Sequence, residues 1–353
     1  MSTLSAIGPT RVAYSNCPVA NALLVASRTG KLERQGVLLS QIAFAQGATH
    51  FAYDHAAYTR FGGEIPPLVS EGLRAPGRTR LLGITVLKPR QGFYVHSAGK
   101  IASPSDLRGR RIGLSRAAQR ILFGHLGEEY RNLGPWEQTL VALGSWEVRA
   151  LKHTLAAGGL RLNDVIVEDV ENPWVDVPRP KLDDSRDFSS RELFATAVEW
   201  QSQQLKSGQV DALFSWLPYA AELELQGVAK PVFALTGEEN AWASVWTVSA
   251  ALVERRPEIV QRLVDSVVEA ASWATDHAKE TIEIHALNLG VSVKAVETGF
   301  GEGFHRDLRP RLDQAALRIL EQTQQFLFDH GLIDRLVDIE RWAAPEFLDN
   351  ASL

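Results

Sequence analysis

The sequence predicts an α/β protein whose mostly parallel sheets are flanked by helices. Short runs rich in Val, Ile and Leu alternate along the 353 residues with longer segments of helical periodicity. Three of these runs end at corners of the predicted fold, at Cys17, Ser115 and Trp216. Ligands of α/β proteins bind where parallel strands end, so we expect a site at one or more of these corners.

The elements follow in order along the chain. Strands are predicted at residues 11–14, 36–44, 79–87, 92–96, 165–170, 210–214, 232–235 and 243–250. Helices are predicted at residues 19–27, 116–155 with a break at 134–135, 194–205 and 257–277, and several more follow to the C-terminus. The proline-containing stretch 172–187 is predicted to be an irregular surface loop.

Composition limits the classes of function. The chain has 45% apolar and 22% charged residues, a net charge of −5 and room for about two domains. This charge predicts no nucleic acid or anionic membrane partner, and no run of about 18 apolar residues is present. A single cysteine excludes an internal disulfide and a metal site built on several thiolates. Because residues 1–10 lack the pattern of a secretory signal, we expect a cytoplasmic protein.

The single cysteine, Cys17, lies between the predicted strand 11–14 and the predicted helix 19–27, with Pro18 in the first turn. A thiol beside a helix N-terminus has a lowered pKa, which favours the reactive thiolate. The alternative is that Cys17 is a small buried apolar residue. Further along, Gly62 and Gly63 beside Arg60 predict either an ordinary turn or a backbone that lies close to an anion.

Four segments together resemble the type II periplasmic substrate-binding proteins, in particular those that bind sulfonates, nitrate and thiamine precursors. They are residues 105–113, 208–212, 245–251 and 256–260. The resemblance implies two lobes, each a mostly parallel sheet flanked by helices, with the site in the cleft between them. Lobe I is expected to comprise residues 1–92 and 245–353, and lobe II residues 93–244. In this fold an anion commonly meets helix N-termini, which the Cys17 and Ser115 corners would provide.

A closer resemblance runs nearly end to end, to the 2'-hydroxybiphenyl-2-sulfinate desulfinase family of the dibenzothiophene desulfurisation pathway. The matching runs are residues 14–18, 58–67, 71–80, 138–147, 243–249 and 342–348. The resemblance implies a cofactor-free hydrolase that cleaves an aryl C–S bond and gives 2-hydroxybiphenyl and sulfite. It assigns the family's catalytic cysteine, histidine and arginine to Cys17, His50 and Arg60, and a sulfinate-binding glycine to Gly63. Departures at residues 54–56 and 172–191 leave the preference between biphenyl and benzothiophene-derived sulfinates open.

These residues suit the chemistry of a sulfinate. Arg60 can hold two sulfinate oxygens as a planar fork, and the Gly63 N–H can add a donor. Cys17 has two possible roles, as a nucleophile that forms a thiosulfonate-like intermediate or as an acid that protonates the ring carbon bearing sulfur. His50 would orient or tune the thiol in either case.

A biaryl substrate also needs an apolar pocket. The aromatic residues proposed to line it are Trp146, Trp216, Phe51, Tyr53 and Phe194. No metal is expected, because His50 and His55 are five residues apart and therefore do not share one face of a helix. We expect a monomer whose partner is a small aryl sulfinate. Two other functions are alternatives, a non-catalytic sulfonate or aromatic-anion binding protein of an ABC importer, and a cysteine hydrolase of another ester or amide.

Overall fold

A computed structural model describes residues 9–15, 17, 19–42, 50, 55–88, 90–124, 126–170, 190–233 and 242–351, and only the backbone of residues 190–195. The strands are β1 Thr10–Ser15, β2 Val37–Gln41, β3 Tyr58–Gly63, β4 Thr79–Leu87, β5 Gln91–His96, β6 Arg111–Leu114, β7 Ile166–Asp169, β8 Ala212–Trp216, β9 Ala229–Pro231 and β10 Trp242–Ser249.

The helices are α1 Ala22–Arg28, α2 Lys31–Arg34, α3 Ile65–Val69, α4 Arg116–Phe123, α5 Gly127–Arg131, α6 Pro135–Ala157, α7 Ser190–Ser207, α8 Leu217–Leu225, α9 Ala250–Arg255, α10 Pro257–Asp276, α11 Ala278–Leu289, α12 Val293–Phe300, α13 Gln314–Asp329, α14 Ile339–Trp342 and α15 Glu346–Asp349. Short 3₁₀ turns lie at Pro104–Leu107, Leu162–Asp164 and Phe304–Arg306, and a π-helical turn at Ser70–Arg74. None of the described helices is both long and apolar enough to cross a membrane.

The strands form two sheets, which confirms the predicted α/β class. The first has the order β2-β1-β3-β10-β4 and the second β7-β6-β8-β5-β9. In each sheet a single described strand runs against its neighbours, β10 in the first and β5 in the second, so both sheets are mostly parallel. The chain leaves the first sheet after β4 and returns to it in β10. A division into lobes at residues 92 and 245 stays a prediction.

Burial follows the side-chain pattern of each element. Helix α10 buries an apolar stripe that includes Val260, Leu263, Val264 and Val267, and this stripe packs against α1 behind the first sheet. The same packing fixes the chain that leads from β1 through Cys17 into α1. The N-terminal corner is therefore held from behind by the C-terminal half of the protein.

The structure differs from the prediction in two elements at this corner. The helix expected from residue 19 begins at Ala22, because the side chain of Asn21 caps it by accepting a hydrogen bond from the Leu24 N–H at 2.9 Å. Strand β3 was not predicted, because its Gly62-Gly63 pair is typical of a turn. All six of its residues are buried, and pairing with β1 and β10 compensates for their low strand propensity.

Candidate active site

Three neighbouring strands place polar side chains in one row across the first sheet. Arg60 of β3 pairs in register with Ser15 of β1 on one side and with Thr247 of β10 on the other. Directly opposed residues of paired strands point to the same face, so these three side chains are neighbours. Cys17 follows β1 by two residues and joins this row at its end.

Arg60 is a buried cation with unused hydrogen-bonding capacity. Its side chain is 2% exposed, and Nη1 donates to the Gly63 carbonyl at 3.1 Å. Nη2 lies 3.8 Å from the Cys17 sulfur, and Nε has no partner in the described part of the chain. No described carboxylate lies within 4.0 Å of this guanidinium. A buried charge without a counter-ion is costly, so the site favours binding of an anion.

The Cys17 sulfur is surrounded by donors but is protonated. The backbone N–H groups of Val19 and Gly63 donate to it, and Arg60 attracts negative charge. Burial has the larger effect and raises the pKa of the thiol above its ordinary value. The expectation of a pKa lowered by a helix N-terminus is therefore wrong, since α1 begins five residues after Cys17.

His50 is buried and neutral. Its Nε2 lies 2.7 Å from Thr247 Oγ1, whereas Nδ1 has no described hydrogen-bond partner. Burial and the nearby charge of Arg60 hold the pKa of His50 well below its usual range. His50 also has a φ of 59°, which is uncommon outside glycine. In this backbone conformation its ring reaches Thr247 in the row of polar side chains.

Gly62 and Gly63 allow the reacting groups to approach the backbone of β3. A Cβ on Gly62 would lie 2.4 Å from the Cys17 sulfur and 3.0 Å from Arg60 Nη2. A Cβ on Gly63 would lie 3.1 Å from the Trp146 ring and 3.2 Å from the Trp242 ring. The two glycines are therefore required by close packing in a strand, not by a turn.

Replacing Gly62 by alanine is expected to displace the thiol and to lower kcat by about 10²-fold, since a shift near 1 Å can have that effect. The central position of β3 prevents the backbone from moving away, and the crowding should cost about 1–3 kcal/mol of stability. Steady-state kinetics and thermal unfolding measure both effects. Gly127→Ala is the matched control, because its Cβ would meet nothing within 4 Å. A Gly62→Ala enzyme with wild-type kcat would contradict this geometry.

Three indole rings form an aromatic wall beside Gly63. Trp146 comes from α6, Trp216 ends β8 of the second sheet, and Trp242 begins β10 of the first. The ring centroids of Trp146 and Trp242 are 4.2 Å apart, and Trp216 stacks on Trp242 at 4.7 Å. This wall spans elements of both sheets and provides the apolar surface that an aromatic ligand needs.

The structure brings most of the predicted site residues together. Cys17, His50, Arg60 and Gly63 meet on or beside β3, and Trp146 and Trp216 lie next to them. Phe51 and Tyr53 lie outside the described residues, as does the side chain of Phe194. The described residues contain no cluster of three or more His, Cys, Asp or Glu side chains suited to a metal ion.

At the Ser115 corner, the residue that caps helix α4 is itself hydrogen-bonded within the protein. The N–H and hydroxyl of Ser115 both donate to the buried carboxylate of Glu147, at 3.0 and 2.5 Å. Sequence reasoning also missed Glu64, which directly follows Gly63, and it missed Thr247 and Trp242, which reach the site from the distant strand β10. The run of residues 243–249, which matches the desulfinase family, was the available signal for Thr247.

The comparison of sequences decides the family. The 2'-hydroxybiphenyl-2-sulfinate desulfinase of Rhodococcus erythropolis is 56% identical over 339 residues, which are 96% of this chain and 92% of that protein. This chain belongs to the 2'-hydroxybiphenyl-2-sulfinate desulfinase family. No family model matches the chain.

Solved structures agree with membership in this desulfinase family. A cysteine-to-serine mutant of the desulfurization enzyme DSZB, in complex with biphenyl-2-sulfinic acid, is 55% identical and superposes with a TM-score of 0.92. The match covers 96% of this chain and 98% of that one. The periplasmic aliphatic sulphonate binding protein SsuA of Escherichia coli is 16% identical with a TM-score of 0.63, over 96% of this chain and 92% of its own. The desulfinase family therefore has the fold of periplasmic binding proteins, as predicted.

Proposed function

We propose that this protein is an aryl sulfinate desulfinase that hydrolyses the C–S bond of 2'-hydroxybiphenyl-2-sulfinate to 2-hydroxybiphenyl and sulfite. The observation that carries the proposal is the buried guanidinium of Arg60, which has no carboxylate within 4.0 Å among the described residues and lies 3.8 Å from the single thiol of the chain. Membership in a desulfinase family at 56% identity supports this reaction over simple binding. The related complex with biphenyl-2-sulfinic acid supports the class of substrate.

The sulfinate is proposed to bind to the Nε and Nη2 side of Arg60, where Nε has no partner among the described residues. A sulfinate is a compact anion with two oxygens, and the Nε and Nη2 edge of a guanidinium matches two such acceptors. The Gly63 N–H, which donates to the Cys17 sulfur in the free protein, lies at the same place and is proposed to turn to the sulfinate when it binds. With the anion there, the biphenyl rings would lie against Trp146 and Trp242, whose rings pack on the same glycine.

Of the two open roles for Cys17, its raised pKa favours that of a general acid. The thiol proton is transferred to the ring carbon that carries sulfur. The C–S bond then breaks with its electron pair returning to the ring, and sulfur dioxide leaves. Water adds to sulfur dioxide to give hydrogen sulfite and a proton, and that proton restores the thiol. The net reaction consumes one sulfinate and one water, and no redox cofactor is needed for its balance.

His50 is proposed to orient the water that adds to sulfur dioxide and so supplies the proton that restores the thiol. The Thr247 hydroxyl lies 3.5 Å from the Arg60 carbonyl and donates to it, so it accepts from Nε2–H of His50. This arrangement leaves Nδ1 as an acceptor at a buried position. A neutral imidazole with a free acceptor can orient the water that adds to sulfur dioxide.

The direct test is to incubate the purified protein with 2'-hydroxybiphenyl-2-sulfinate, without added metal or nucleotide, and to measure both products. We expect sulfite and 2-hydroxybiphenyl in equal amounts. A ligand that raises Tm without any product would instead indicate a binding protein. We further propose that the enzyme acts in the cytoplasm as a monomer, with lobes divided at residues 92 and 245.

A further inference from the structure

Glu64 is a buried carboxyl group that the proposed reaction does not use. It directly follows Gly63, whose N–H and carbonyl contact Cys17 and Arg60. The residue is 1% exposed, and its Oε1 accepts a hydrogen bond from Trp146 Nε1 at 3.1 Å. Its Oε2 has no partner among the described residues. A carboxylate oxygen without a partner is costly at such a position, whereas a protonated carboxyl group is much less so.

The charged groups that face Glu64 come from β3 and α6. Arg60 lies on β3, and Arg149 lies on α6 one turn after Trp146, where its Nη1 donates to Thr323 at 3.1 Å. Neither guanidinium is within 4.0 Å of the Glu64 carboxyl group, and the Cys17 thiol is the other titratable group that senses it. Burial outweighs both cations and raises the pKa of Glu64 to about 7.

We propose that Glu64 is a positioning residue of the sulfinate site, which in its protonated form fixes the Trp146 ring and leaves the charge of Arg60 available to the substrate. The proposal rests on the proposed function. The hydrogen bond to Trp146 fixes the aromatic wall relative to Gly63 and hence to the anion site. An ionised Glu64 would place a second anion beside Arg60, where it would repel a sulfinate.

Protonation of Glu64 and binding of the sulfinate should therefore be thermodynamically linked. Two negative charges in one buried site disfavour each other, so sulfinate binding should raise the pKa of Glu64. The reciprocal effect is that sulfinate affinity should fall as the pH rises through the pKa of the free protein. When a single proton is involved, the Kd of the sulfinate can rise by at most about tenfold per pH unit. Sulfinates remain anions over this range, so the ligand does not contribute a titration of its own.

The test measures the Kd of biphenyl-2-sulfinate by calorimetry from about pH 6 to about pH 9, where a group with a pKa near 7 titrates. The parent protein is Cys17→Ser, which is expected to slow turnover strongly and which removes the titration of the thiol. We expect its Kd to rise steeply above about pH 7, and the Kd of Cys17→Ser/Glu64→Gln to be nearly constant. Glutamine keeps an oxygen acceptor for Trp146 but cannot ionise, so a purely structural role would leave both pH slopes equal. Glu297→Gln is the control and should keep the parent slope, because the carboxylate of Glu297 is partly exposed on α12 and pairs with Lys294.

Tryptophan fluorescence gives a second measurement that needs no ligand. Ionisation of the carboxyl group that accepts from the Trp146 indole should change the emission near pH 7, and Glu64→Gln should abolish the change. The proposal would be overturned if Kd had the same pH dependence in Cys17→Ser and in Cys17→Ser/Glu64→Gln. A fluorescence titration that Glu64→Gln leaves unaltered would overturn it as well. If biphenyl-2-sulfinate bound at no pH, the proposed function would fail along with the sulfinate linkage. The fluorescence titration would still decide whether Glu64 titrates against Trp146.

Discussion

Replacing Cys17 by serine is expected to lower kcat by about 10²–10⁴-fold, the range for loss of a general acid, with little change in substrate affinity. The serine hydroxyl can still accept hydrogen bonds from the backbone N–H groups of Val19 and Gly63, so the corner keeps its conformation. The guanidinium of Arg60 also remains in place to bind the anion. The variant should therefore bind the sulfinate and fail to release sulfite.

Sulfite release and calorimetry with biphenyl-2-sulfinate separate the two effects, and thermal unfolding checks that the fold is intact. Turnover by Cys17→Ser at the wild-type rate would remove Cys17 from the mechanism. Loss of binding together with turnover would assign it a structural or substrate-holding role instead.

The pH dependence of wild-type kcat distinguishes the two roles of the thiol. A general acid works while it is protonated, so kcat should hold as pH rises and fall only when the pH passes the raised pKa of Cys17. A thiolate nucleophile would give the opposite sign, with kcat rising by up to about tenfold per pH unit below that pKa. An increase in kcat between neutral and alkaline pH would therefore overturn the acid role.

The parts of the fold that could be predicted are those set by local patterns. The strand at residues 79–87 and the helix from Pro257 follow from runs of β-branched residues and from an apolar stripe. Strand β3 could not be predicted, because its Gly-Gly pair and buried arginine are locally unfavourable in a strand. Its stability comes from pairing with β1 and β10, and β10 is almost 190 residues distant.

In the candidate site, too, local patterns could be predicted and long-range contacts could not. A lone cysteine after a strand attracts interest from sequence alone, but the direction of its pKa depends on burial, which no local pattern reveals. The contact of His50 with Thr247 joins residues 197 positions apart. Glu64 is an ordinary surface residue type in sequence, and only the approach of Trp146 from α6 to the end of β3 makes it a buried acid.

Replacing Arg60 by glutamine is expected to reduce kcat/KM by about 30- to 5,000-fold, the equivalent of about 2–5 kcal/mol for losing one partner of a buried charge pair. Most of the loss should appear in KM, because the guanidinium holds the sulfinate before and during the reaction. Arg80→Gln is the matched control. This arginine lies in β4 of the same sheet and donates to the carbonyls of Trp342 and Ala343, so its loss should lower Tm with kcat/KM nearly unchanged.

The thermal stability of Arg60→Gln should not fall together with its activity. The free protein buries the Arg60 charge with no described carboxylate within 4.0 Å, and removing an uncompensated buried charge relieves its desolvation penalty. We therefore expect Tm to stay constant or to rise while activity falls, which is the trade-off typical of a residue kept for binding. A large fall in Tm would show that Arg60 stabilises the fold, and the low kcat/KM could then no longer be attributed to the loss of an anion site.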